Sequence, residues 1–147
     1  MVGKSIHLWG EKMGVRHTDS LYAHGIAFPL HEVDASDDTQ ALVMICSERI
    51  AKDTNDVPTL IRELLETRGL QSKFIKSDNH LFLDSVSPLD KAIAQRFIQQ
   101  RAGIIALING KEPGDGTSAL DQMTLHEGDT LQLLYRVEVA KTNISHN

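Results

Sequence analysis

From Leu131 to Val139 the chain alternates an apolar set, Leu131, Leu133, Tyr135, Val137 and Val139, with Gln132, Leu134, Arg136 and Glu138, of which Leu134 alone is apolar. A period of two over that length is the signature of a strand with one face on a core. The turn His126-Glu127-Gly128-Asp129 precedes it. A chain ending in such a strand must bury its apolar face against something, so the remaining elements have to supply a covering layer.

Several segments answer that need. Lys4 to Trp9 places Ile6 and Leu8 on one face and stops at Gly10, which predicts a first strand. Ile26 to Val33 predicts a second, in which Pro29 lacks a ladder donor and argues for an edge position or a bulge. Asp37 to Gln40 has the spacing of a capping box and predicts a helix from about Asp38 to Ala51, although the run from Ala41 to Cys46 also suits a buried strand. Val57 to Arg68 is a helix on three counts: Asp56 as cap, Pro58 in the first turn, and a stripe of Leu60, Ile61, Leu64 and Leu65 closed by Gly69.

Ser72 to Lys76 and His80 to Asp84 flank Asp78-Asn79, a pair suited to positive φ, and form a predicted hairpin. Ser87-Pro88 then starts a helix, Ser as cap, with Leu89, Ile93 and Phe97 at four-residue spacing and Gly103 as its end. Ile104 to Ile108 is an unbroken aliphatic run leading into Asn109-Gly110, the pattern of a central strand entering a tight turn. His17 to Gly25 and Glu112 to Asp121 read as loops. The order is mixed α+β.

Composition sets the limits. With 147 residues, 41% hydrophobic and 24% charged, the chain is expected to form one domain, residues 1–147, with a short polar tail from about residue 141. Its single cysteine excludes an intrachain disulfide, and no apolar run reaches the roughly 20 residues of a membrane helix. The expected setting is the cytoplasm, or a virion assembled there. Net charge is −5 and the 15 basic residues are scattered, so the gathered basic face of a nucleic-acid binder is absent.

The residue types that carry chemistry do not converge. Cys46 sits among Val43, Met44 and Ile45, which suits an inert core thiol better than a nucleophile. The seven histidines show neither an i, i+4 pair nor a Cys-x-x-Cys companion, so no metal is expected. Asp37 and Asp38 are explained by capping, and Gly110 to Thr117 lacks the Gly-Lys-Ser/Thr ending of a phosphate loop. No catalytic residue and no cofactor is expected.

Three segments, Ile6 to Gly10, Ala106 to Lys111 and Leu125 to Leu134, together resemble the β-grasp (ubiquitin-like) fold in the branch of the molybdopterin-synthase small subunit and the thiazole sulfur carrier. That branch uses an opening strand, an aliphatic-Asn-Gly strand end and a Leu-x-x-Gly-Asp turn into the last strand, in this order. The resemblance implies a mixed sheet with adjacent, parallel first and last strands, here with an enlarged helical insert. The chain is also similar to the N-terminal module of lambda-type phage tail assembly protein I, through Trp9-Gly10-Glu11, His31 to Gln40 and the closing Tyr135 to Thr142. The Gly-Gly end on which sulfur carriers act is missing, since the sequence finishes Thr142-Asn-Ile-Ser-His-Asn147.

These readings converge on a non-enzymatic ubiquitin-like interaction module, of the kind found in phage tail assembly or a tail tip, with other proteins as partners and neither nucleic acid nor membrane. The expected contact residues are Leu134, Tyr135, Arg136, Val139 and Lys141. The alternative is a sulfur carrier or protein modifier that needs an activating enzyme.

Overall fold

The computed structural model describes residues 15–34, 38–97, 100–112 and 119–140. The expected first strand, Lys4 to Trp9, and the polar tail lie outside them. The described chain is α+β. Its main sheet has five strands in the order β1-β2-β3-β7-β6: β1 (Val15–Ala23), β2 (Ile26–Asp34), β3 (Asp38–Arg49), β6 (Gln100–Ile108) and β7 (Thr130–Ala140). Every pairing in it is antiparallel. A separate hairpin of β4 (Gln71–Ser77) and β5 (His80–Ser87) lies between two helices in sequence, α1 (Val57–Thr67) and α2 (Leu89–Arg96).

The last strand behaves as its alternation requires. Leu131, Leu133, Tyr135 and Val137 are buried in the main core, together with Ile61 and Leu65 of α1, Leu83 and Val86 of β5, and Leu89 and Ile93 of α2. The helix α1 is capped as expected: the Asp56 carboxylate accepts from the Thr59 N–H at 3.4 Å, Pro58 occupies the first turn, and Gly69 follows with φ +77°. The β4–β5 turn takes positive φ at Asp78 and Asn79, the conformation their short polar side chains tolerate.

Three expectations are corrected. Asp38 to Arg49 is strand β3, not a helix. Ala41 to Cys46 is buried at every position, with Ala41 and Val43 in the main core and Leu42 and Met44 in a second cluster. A strand buried on both faces accommodates such an unbroken apolar run, and the Asp37-to-Gln40 spacing is compatible with it. A bulge between Met44 and Cys46 in the pairing with β7 then shifts the alternation, so that Ile45 and Cys46 both join the main core.

The span from His17 is not a loop. It lies within β1, which buries Leu21 and Ala23 and turns at His24-Gly25. Ser87 ends β5 rather than capping α2, whose N-cap is Pro88 after a cis peptide bond, and α2 stops at Arg96, so Gly103 lies inside β6. As for β6, expected to be central, it pairs among the described residues with β7 alone.

Candidate functional site

The expected contact residues divide on burial. Leu134 is fully buried beside Leu42, Met44, Ile105 and Leu107, on the sheet face opposite the main core. Tyr135 is 3% exposed, and its hydroxyl accepts the Val86 N–H at 2.8 Å. Burial raises its pKa to about 12. Both side chains are packed inside the fold. Arg136 is half-buried and lies with Glu138, Arg101 and Gly103 around a shallow depression on β6 and β7. Val139 is placed by register alone, opposite Thr39 and Gln100, and Lys141 lies outside the described residues.

The chemistry-bearing side chains outside this strand also have structural roles. Cys46 is 5% exposed, and burial pushes its thiol up to about 11, so almost no thiolate forms near neutral pH. His80 Nδ1 faces Asp121 Oδ2 at 3.4 Å, but the Asp121 carboxylate is engaged by the Leu81 N–H at 2.9 Å and by the Gln122 amide at 3.3 Å. The Leu81 amide is the main reason the Asp121 carboxyl is held at about 2. This arrangement fastens the start of β5 to the short 3-10 turn at Leu120–Gln122. Among the described residues no three His, Cys, Asp or Glu side chains cluster as metal ligands, and no helix is long and apolar enough to cross a membrane.

At the other end of the sheet, the two turns singled out in the sequence meet. Asn109, at φ +54°, donates its amide to Asp129 Oδ1 at 3.0 Å and accepts the Thr130 N–H at 3.0 Å. Asp129 Oδ2 in turn accepts the His126 N–H at 2.9 Å. The β6–Lys111 turn and the turn into β7 are thereby locked side by side.

The most open feature of the sheet lies between β2 and β3. Their ladder runs from Asp34↔Thr39 only as far as Leu30↔Val43. Beyond it, Ile26 to Pro29 stay paired with β1, and Met44 to Arg49 stay paired with β7, so each segment has a partner on one side only among the described residues. Pro29 and the Met44/Cys46 bulge stand at the point of divergence. The strands open around a cavity of about 480 Å³ lined by Ile26 to Pro29, Met44 to Ser47, Arg68 and Leu70. Phe28, Met44, Cys46 and Leu70 are buried there, whereas Ala27, Pro29 and Ser47 are exposed. Arg68 is held in place, with its guanidinium 3.1 Å from both Glu48 Oε1 and the Leu64 carbonyl.

Pro29 was the one signal of this wedge in the sequence. It forecast an edge or bulge, and it sits where β2 has lost its β3 partner. The other wall was hidden by the misassigned helix. Comparison with known proteins finds no match to any family model, curated protein or solved structure.

Proposed function

We propose that this chain acts by protein–protein contact rather than by catalysis, as a structural component of an assembly such as a phage tail or tail tip. The observation that carries the proposal is the incomplete pairing, among the described residues, of β2 with β3, which leaves strand edges beside a partly apolar cavity. Edges of this kind are what β-strand addition uses. The side chains with catalytic potential give further support, because Cys46, Tyr135 and Asp121 are each committed to packing or to backbone hydrogen bonds. The tail setting itself rests on the resemblance of the sequence to the tail assembly family.

A β-grasp scaffold, the finer form of the fold expectation, draws support from the junction of the Asn109-Gly110 and Gly128-Asp129 turns, the two motifs that suggested it. Against it stands the environment of β7, flanked by β3 on one side and β6 on the other, both antiparallel. That leaves no edge for a parallel first strand. The interaction proposal therefore rests on the open edges of the sheet and not on ubiquitin-like topology.

The test is chemical crosslinking in the cells that make the protein, with the linked residues mapped by mass spectrometry. A structural component gives reproducible links to a small set of proteins at fixed sites. Links scattered over abundant proteins, or none, would count against the proposal.

A further inference from the structure

We infer that the wedge between Ile26–Pro29 and Met44–Ser47 receives an extended segment of a partner polypeptide, which pairs with the backbone that β2 and β3 leave unmatched. This inference rests on the interaction reading above and names its surface and the form of the partner.

Four features point the same way. First, the two walls are strand backbone, each still held in the sheet by its outer neighbour, β1 for one and β7 for the other. The wedge is therefore a missing place in a sheet and not a gap between loops. Second, the β2–β3 ladder stops at one level on both strands, next to Pro29 on β2 and next to the Met44/Cys46 bulge that β3 makes in its pairing with β7. Proline cannot donate to a ladder and a bulge bends its strand, so both features favour an opening at this level. Third, the space between the walls measures about 480 Å³, with Arg68 and Leu70 beside the two strand segments. Fourth, Phe28, Cys46 and Leu70, all of the main core, give the opening an apolar floor, while the exposed Ala27 and Ser47 put only small side chains at its mouth.

The occupant follows from those walls. Main-chain N–H and C=O groups on a strand edge are satisfied best by another extended main chain, and side chains at alternate positions then meet the floor. A small ligand would match the floor but leave the strand edges unpaired. The partner chemistry is thus an extended peptide with apolar residues at every second position and no proline in the paired stretch.

The experiment is an amide NMR titration of the full chain with a capped peptide of about six residues alternating valine and threonine. Two controls accompany it: the same peptide N-methylated at alternate positions, and the protein variants Ala27→Trp and Ser47→Trp, which fill the mouth from exposed positions. The expected result is shifts at Ala27, Phe28 and Met44 to Ser47, with binding about tenfold weaker or lost in each control. The inference is overturned if the wedge amides do not move, if the shifts fall on β1, β4 or β6, or if the N-methylated peptide binds equally well. Crosslinks in cells that persist unchanged in both variants would also overturn the wedge, while leaving the interaction reading intact.

Discussion

The Tyr135 hydroxyl accepts the Val86 backbone N–H at 2.8 Å, which joins the middle of β7 to the end of β5 through the core. Val86 is fully buried, so no water replaces that acceptor. Tyr135→Phe keeps the ring and strands the donor. The expected loss is about 1–3 kcal/mol, the cost of an unsatisfied buried amide. Urea unfolding should show a lower midpoint with an unchanged slope. An unchanged midpoint would mean that the bond contributes nothing.

Alkaline stability depends on two buried groups. Burial raises Tyr135 from 10.0 to about 12 and Cys46 from 9.0 to about 11. Both folded values lie above the unfolded ones, so above the unfolded pKa the folded state holds more protons. Stability from these groups is then complete below the unfolded values. It is lost between about pH 9 and 11 for Cys46 and between about pH 10 and 12 for Tyr135. The double variant Cys46→Ala, Tyr135→Phe should lose less stability than the parent chain when urea midpoints at pH 7 and pH 11 are compared. Equal losses would contradict the assignment.

Acid acts through Asp121. Its carboxyl is held at about 2, first by the Leu81 amide and then by the Gln122 and His80 side chains. A lowered folded pKa contributes stability that is present above 3.8 and disappears as pH falls towards 2. Asp121→Asn should flatten that part of the acid unfolding curve, followed by circular dichroism. A curve that keeps its slope between those values would place the acid sensitivity elsewhere.

Asn109 and Asp129 give a charge test of the turn junction. Asn109→Asp replaces the amide that donates to Asp129 Oδ1 with a second carboxylate. The variant should be less stable than the parent at pH 7 and should recover part of the difference near pH 3, where the pair is partly protonated. Asn109→Ala loses both bonds, to Asp129 and from the Thr130 N–H, and should show a smaller dependence on pH. A deficit in Asn109→Asp that does not vary with pH would rule out contact between the two side chains.

Local signals were legible wherever one short-range rule dominated. The alternation of Leu131 to Val139, the cap and stripe of Val57 to Arg68, and the positive-φ pairs Asp78-Asn79 and Asn109-Gly110 each correspond to an observed element. Two signals were ambiguous in one dimension. The spacing from Asp37 to Gln40 suits a helix cap, yet Ala41 to Cys46 is buried on both faces of a sheet, and periodicity cannot separate those environments in so short a run. The polar stretch from His17 hid a strand because its sequence lacks an apolar alternation before Leu21 and Ala23, which reach the core.

Leu134 and Tyr135 carry a related ambiguity. Apolar character at Leu134 and Tyr135 reads equally as docking surface or as core, and only the presence of a buried second face and of the Val86 amide decides between them. The wedge depends on where two strands part company, which Pro29 hinted at and no local pattern on β3 revealed.

Native mass spectrometry of the protein isolated from its own source, recording the intact mass and every species bound to it, tests directly whether this chain works through protein contact. The expected result is the full encoded mass within a complex of fixed stoichiometry with other proteins. A free chain carrying a new C-terminus or a thiocarboxylate, or a chain holding a turned-over small molecule and no protein, would contradict it.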